Sequence, residues 1–211
     1  MCGIAGLIGW SGTDHQQSQI IENMQFSLQH RGPNSRGAWI SKEDKITFIH
    51  TRLSILDLSK TGHQPMNSSC GRYIITFNGE IYNHLELRNF LKSYKKNIFW
   101  KGSSDTETIV ECFSILGVDK TLSLLRGMFS FSVYDRKNKK IFLIRDRYGE
   151  KPLYFLKLEN NVFAFASEIS SFSKLPSFSP SIDLNGMACF FQRGYISAPL
   201  SIWKDVKKIM P

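Results

Sequence analysis

The sequence predicts a layered α/β protein with sheets packed between helices. Three observations carry that prediction. An apolar strand-like run opens the chain, and four more crowd its second half at Met128–Tyr134, Ile141–Arg145, Leu153–Leu158 and Val162–Ala166. The near-continuous apolarity of these runs is that of sheets covered on both faces. Between them lie stretches whose apolar residues recur every three or four positions, the signature of helices that bury one face.

Composition narrows the class. A chain of 211 residues, 42% apolar and 21% charged, forms one sizeable folded domain. No apolar run approaches the roughly 20 residues of a membrane span, and no basic-then-apolar leader opens the chain, so no membrane partner is expected. Cys2, Cys70, Cys112 and Cys189 show no Cys-x-x-Cys spacing, which points to reduced thiols in the cytoplasm. His15, His30, His50, His63 and His84 form no ligand pattern, so no metal is expected. The net charge of +9 raises nucleic acid as a partner. The lysines are dispersed, however, with no basic helix and interleaved aromatics, so a solvated basic surface is expected instead.

Met1 to Gly9 reads as a buried strand that other backbone or a ligand approaches closely at Gly3, Gly6 and Gly9. Cys2 follows the initiator methionine, and the usual aminopeptidase would leave it with a free α-amino group beside its own thiol. Such an amine titrates at about 7.7–8.0 when unperturbed and can act as a general base. One residue then supplies nucleophile and base together. An incidental cysteine on an ordinary core strand is the other reading, and this stretch alone does not choose.

Thr13 and Gln16 offer a capping box, and Ile20, Ile21, Met24 and Leu28 give Gln16–Gln29 an apolar stripe. His30-Arg31-Gly32-Pro33 stops that helix. Short strands follow at Ala38–Ile40 and Ile46–His50. Thr51–Leu56 then leads into a long irregular segment of the kind that carries function. Tyr73–Phe77 reads as a strand ending at Asn78-Gly79-Glu80, where Asn-Gly by itself signals a hairpin turn. Asn83 with Glu86 opens a second helix, and Ile98–Trp100 reads as a short strand. Ser104 and Glu107 fit a capping box, which by itself explains Asp105 as a favourable charge at a helix start. Ile109, Val110, Phe113 and Leu116 face inward from this helix, and Gly117 ends it. Asp119–Leu125 is a short helix, the four late strands form a meander, and Asn185–Gln192 is a last helix. Trp203–Pro211 shows no periodic element of its own. We expect a domain over 1–195 and the start of a linker over 196–211.

With Cys2-Gly3-Ile4-Ala5-Gly6, His30-Arg31-Gly32-Pro33, Arg52-Leu53-Ser54-Ile55, Asn78-Gly79-Glu80-Ile81-Tyr82-Asn83 and Ser104-Asp105 in order, the sequence resembles a known family. It is similar to the class II glutamine amidotransferase domain of asparagine synthetases, which are N-terminal nucleophile hydrolases. Arg145–Tyr154 and Ala166-Ser167-Glu168 extend the match over essentially the whole chain. The resemblance implies an α+β fold, a four-layer αββα sandwich with two antiparallel sheets between helical layers. It implies an enzyme that hydrolyses glutamine to glutamate and ammonia and feeds an ATP-dependent synthetase domain, with ATP and Mg2+ bound only there and no cofactor in this domain. It leaves homodimerisation open.

The resemblance also assigns roles. Cys2 is the nucleophile. Asn78, by its side-chain amide, and Gly79, by its backbone N–H, form the oxyanion hole. Arg52 takes the substrate carboxylate, Glu80 and Asp105 take its ammonium, and Ile55 and Leu56 give backbone contacts. The ammonia acceptor is aspartate or another carboxylate such as a sugar acid. A catalytically silent domain keeping the same fold is the competing reading. Asn34 stands where the family usually has aspartate, which singles out the loop after Pro33 for inspection.

Overall fold

The computed structural model describes residues 1–211. The first half contains β1 (Gly3–Ile8), α1 (Asp14–Ser27), β2 (Ser35–Ser41), β3 (Ile46–Arg52), β4 (Met66–Asn67), β5 (Tyr73–Ile81) and α2 (His84–Leu91). The second contains α3 (Asp105–Leu116), α4 (Val118–Leu124), β6 (Gly127–Asp135), β7 (Lys140–Arg145), β8 (Tyr154–Lys157), β9 (Phe163–Ala166), α5 (Leu184–Arg193) and β10 (Val206–Lys208).

Two antiparallel sheets result, one ordered β10-β8-β9-β1-β3-β2 and the other β4-β5-β6-β7. Three apolar cores fill the spaces between layers. Ile20, Ile21, Met24 and Leu28 of α1 and its end pack on β1 with Phe172 of a following turn. Ile109, Val110 and Phe113 of α3 cover β5 and β6 from outside. Between the sheets lie Ile4, Phe48, Ile74, Tyr134 and Phe165, with Phe48 and Phe165 edge to face at 5.7 Å. The arrangement is the four-layer αββα sandwich that the resemblance implies. No helix is long and apolar enough to cross a membrane.

Local chemistry sets the helix starts. Thr13 and Gln16 make a complete capping box on α1. On α3 only half of the expected box forms. Ser104 accepts the Glu107 N–H, whereas the Glu107 carboxylate turns to the N–H groups of Lys101 and Gly102 at 2.7 and 3.1 Å.

Four expectations are corrected. The strand expected to end at Phe77 continues as β5 through Asn78-Gly79 to Ile81, because pairing with β6 along its whole length overrides the local turn preference of Asn-Gly. The four late strands do not form one meander, because β6 and β7 lie in one sheet while β8 and β9 lie in the other. The crossing is organised by Asp146, whose carboxylate accepts the N–H groups of Phe129, Tyr148, Glu150 and Lys151. Ile98–Trp100 is irregular, with Trp100 packed under the Arg88 guanidinium at 4.1 Å. The tail does carry an element, since Val206–Lys208 pairs with Tyr154–Leu156. Three residues are too few to show a period.

Candidate active site

Cys2 enters the structure at the head of β1, the strand held between β3 and β9. Gly3 is there because a Cβ would stand 2.5 Å from Thr51 Oγ1 and 2.8 Å from Leu28 Cβ. The neighbouring Ile4 N–H donates to Ser167 Oγ at 3.1 Å, and Arg31 Nε donates to the Cys2 carbonyl at 3.0 Å. Arg31 is itself held by Glu168 at 2.8 Å. The front of the chain is thereby clamped from three directions. The Cys2 sulfur accepts the Leu53 N–H at 3.4 Å. Burial pushes the thiol pKa up, against that N–H and the nearby positive charges of the chain terminus and Arg52.

Met1 is present on the cavity wall, so the Cys2 nitrogen is a peptide N–H and the free amine belongs to Met1. The Met1 sulfur accepts from Lys151 Nζ at 3.4 Å and from Arg31 at 3.9 Å. Burial lowers the pKa of this terminal amine, and the charges of Arg31 and Lys151 lower it further.

β5 supplies the opposite wall. Its even-numbered residues exchange backbone hydrogen bonds with β6, as the flanking Tyr82 N–H to Arg126 carbonyl bond of 2.8 Å fixes the alternation. The odd-numbered N–H groups therefore point away from the ladder. Phe77 N–H donates to Gln64 Oε1 at 2.7 Å and Ile81 N–H to Asp105 Oδ2 at 3.0 Å. Gly79 N–H lies between them on the same edge and stays free for the cavity. Gly79 must be glycine because a Cβ would stand 2.2 Å from the Met128 carbonyl oxygen. Asn78 is buried, and its Nδ2 has no hydrogen-bond partner.

The charges around the cavity are separated. Arg52, at the end of β3, is pinned by the carbonyls of Ser59 (2.8 Å) and Asp57, which leaves the rest of its guanidinium fork available. Asp57 is fixed in turn. Burial alone would raise its pKa, but donors from Ser59, Thr61 and Ser103 bring it down to about 2. Asp105 opens α3 across the cavity. Burial pushes its pKa up to about 6, against the N–H groups of Ile81 and Thr106 and with the help of the Glu80 charge. Asn34, at the position singled out above, accepts the Ser54 N–H at 3.0 Å and donates its own N–H to the Arg52 carbonyl at 3.0 Å. An amide oxygen suffices as acceptor there.

All eight residues singled out from the sequence, Cys2, Arg52, Ile55, Leu56, Asn78, Gly79, Glu80 and Asp105, line one cavity. Gln64, Thr106, Met128 and Lys151 line it too and were given no role by the sequence. Gln64 joins β5 to α3 by accepting from Phe77 and donating to Thr106 Oγ1 at 3.2 Å. Lys151 stood inside a quoted motif and could have been suspected; the other three carry no pattern. No three His, Cys, Asp or Glu side chains cluster as metal ligands.

Comparison with known proteins agrees with this geometry. The family profile described as glutamine amidotransferase domain matches residues 1–211. A putative glutamine-hydrolyzing asparagine synthetase 2 of Methanocaldococcus jannaschii is 34% identical over 99% of this chain and 42% of its own length. The glutamine-hydrolyzing asparagine synthetase 3 of Bacillus subtilis is 33% identical over 100% of this chain and 34% of its own. Amidase chry2 of Gibberella zeae is 35% identical over 82% and 26%, respectively. The chain thus spans less than half the length of these relatives. The glutamine phosphoribosylpyrophosphate amidotransferase of B. subtilis superposes with a TM-score of 0.68 over 86% of this chain and 45% of that one. At 19% identity that likeness is one of fold.

Proposed function

Because the chain belongs to the family of glutamine amidotransferase domains, we propose that this cavity hydrolyses glutamine to glutamate and ammonia through Cys2. The single observation that carries the proposal is the arrangement of one thiol, the free Gly79 N–H beside the unpartnered Asn78 amide, and opposite charges kept apart around one cavity. A zwitterionic amino acid requires that division. Arg52 takes the α-carboxylate, and Asp105 with Glu80 takes the α-ammonium. The side-chain carboxamide then lies between Cys2 and Asn78-Gly79.

Removal of Met1 places the free α-amine on Cys2. In its neutral –NH2 form this amine takes the thiol proton as the sulfur attacks the amide carbon. The C=O pair moves onto oxygen, and Asn78 Nδ2 and Gly79 N–H receive the oxyanion; one such donor is worth about 3–4 kcal/mol in other enzymes. The α-ammonium returns the proton to the departing nitrogen, ammonia leaves, and a thioester remains. Water, deprotonated by the same amine, adds to the thioester, and glutamate leaves as the thiol is restored.

The names of the relatives support a synthetase unit as the consumer of ammonia, with ATP and Mg2+ bound there and aspartate, or another carboxylate, as acceptor. The four free cysteines suit the cytoplasm as compartment. Ammonia release from glutamine by the chain and by Cys2→Ala, with intact mass measured on the same samples, tests the proposal. We expect a mass lacking Met1 and loss of essentially all release in the variant. Equal release by both, or full release from chains that keep Met1, would refute it. Retained Met1 with no release is the result that the silent-domain reading expects.

A further inference from the structure

Arg52 and Asp57 are opposite charges buried side by side, and they do not pair. Arg52 is 9% exposed and Asp57 7%, and the ion pairs of the molecule include neither. A guanidinium and a carboxylate this close commonly form a bidentate pair that consumes both charges. Here Asp57 gives Arg52 only its backbone carbonyl, as Ser59 does at 2.8 Å. Two of the five N–H donors of Arg52 are thus used, and no anion cancels its charge. The Asp57 carboxylate is engaged elsewhere. Oδ1 accepts the Ser59 N–H at 2.8 Å and the Ser59 hydroxyl at 2.6 Å. Oδ2 accepts the Thr61 hydroxyl at 2.9 Å and the Ser103 N–H at 3.2 Å. The bond to the Ser59 N–H closes one turn, and Ser59 Oγ then accepts the Thr61 N–H at 3.2 Å to start the next. Folded in this way, the segment aims the carbonyls of 57 and 59 at Arg52. Ser103 directly precedes Ser104, the residue that caps α3. That end of α3 is independently fixed, because Ser104 holds the Glu107 N–H and Glu107 holds those of Lys101 and Gly102. It is a post to which residues 57–61 are tied, so closely that a Cβ at Gly102 would stand 2.5 Å from Asp57 Oδ2.

We propose that Asp57 is a positioning residue for Arg52: its carboxylate folds residues 57–61 and ties them to the start of α3, so that carbonyls hold Arg52 and its charge is left for the α-carboxylate of the ligand. The inference rests on the role given to Arg52 above. Its effect is exerted at the head of glutamine, away from the sulfur and the carboxamide. With the tie loosened, the guanidinium fork is poorly fixed, so binding weakens while the chemical step of bound glutamine is unchanged. Asp135 serves as the control. It is a carboxylate buried to 3% exposure that likewise folds a turn, accepting the N–H groups of Lys137 and Asn138, but it does not line the cavity.

The test uses the processed chain and five variants: Asp57→Asn, Asp135→Asn, Arg52→Met, Arg52→Met with Asp57→Asn, and Thr61→Val. The amide of D57N keeps the size of the carboxylate but sets N–H against N–H. It is expected to raise KM for glutamine about tenfold, with kcat within twofold. Glutamate is expected to bind it weaker by the same factor. 4-Aminobutanamide, which is glutamine without its α-carboxylate, is expected to protect Cys2 from iodoacetamide equally in D57N and the parent. D135N is expected to lower Tm and leave KM for glutamine unchanged. In the R52M background D57N is expected to cost nothing further, because it acts through that guanidinium. A D57N KM equal to that of the parent, a loss shared with 4-aminobutanamide, or losses that multiply in the double variant would make Asp57 a packing residue, and the inference falls. If R52M itself binds glutamine like the parent, or the parent releases no ammonia, the reading of the site falls and this inference with it. Should D57N not fold, T61V, which removes one donor to Oδ2, is expected to raise KM about fivefold, and an unchanged KM in it overturns the proposal.

Discussion

Asp105 is a carboxylate whose usefulness to a ligand runs against the comfort of the empty fold. Burial lifts its pKa to about 6, so at neutral pH it carries a charge that the surroundings resist. An ammonium arriving beside it relieves that resistance. As pH falls through about 6, the free enzyme protonates Asp105 and loses the partner for the ammonium. We therefore expect kcat/KM for glutamine to drop on the acid side with a midpoint near 6. Saturating glutamine should move the limb in kcat to lower pH. Asp105→Asn should raise KM tenfold or more and erase the kcat/KM limb; a D105N profile superimposable on the parent would remove the role. Cys2, Arg52, Asn78, Glu80 and Asp105 were legible because each sits in a short ordered block whose residue types match the chemistry. Gln64, Met128 and Lys151 were not assigned, since what they do depends on where β5, α3 and the loop after β7 meet in space.

At the scale of elements, β5 serves the site with its edge as well as its face. Side chains from Gln64 and Asp105 occupy the outward N–H groups of Phe77 and Ile81, and Gly79 between them is left open. The same strand must lie against β6 so closely that a Cβ at Gly79 would reach to 2.2 Å from the Met128 oxygen. Gly79→Ala should then push β5 off β6, lowering kcat at least a hundredfold and stability by about 1–3 kcal/mol. Ammonia release and urea unfolding measure the two; an alanine variant of native stability and activity would contradict the close approach. Asn-Gly illustrates where element prediction stopped. Its local preference is for a turn, and only pairing with a partner some fifty residues away makes it strand. The crossing between sheets at Asp146 was equally hidden, because strand runs in sequence do not declare which sheet they join.

At the scale of the molecule, the two sheets are joined by more than apolar packing. His50 Nε2 bonds the Phe77 carbonyl at 3.1 Å, and Thr76 Oγ1 donates to the Ile49 carbonyl at 3.2 Å. Burial lowers the His50 pKa from 6.5 to about 3. As pH falls below 6.5 the unfolded chain takes up a proton that the folded one refuses. This histidine therefore subtracts about 1.4 kcal/mol of stability per pH unit down to about 3. Asp105 has the opposite sign, because its folded pKa of about 6 exceeds the unfolded 3.8. It adds stability at the same slope between those values. The two oppose each other between pH 6 and 4. His50→Gln, which can still donate to Phe77, should gain about 3 kcal/mol relative to the parent between pH 6 and pH 4, and D105N should lose a similar amount. Urea unfolding at both pH values checks this; parallel profiles would refute the linkage. The layered class was readable from doubly covered strands and one-sided helices. The inter-sheet histidine was not, because a lone His on an apolar strand looks the same whether it bridges sheets or fills space.

The strand behind Cys2 has one neighbour at residues 46–52 and the other at 163–166. During synthesis at about 5–20 residues per second, the second neighbour emerges roughly ten to thirty seconds after the first residue does. For that interval the leading methionine rides on an unpaired, half-built ribbon, within reach of a ribosome-associated peptidase. Once the ribbon is enclosed, the methionine stays 53% exposed, with its sulfur beside Arg31 and Lys151. The residue to be trimmed thus stays at the surface after the strand behind it is enclosed.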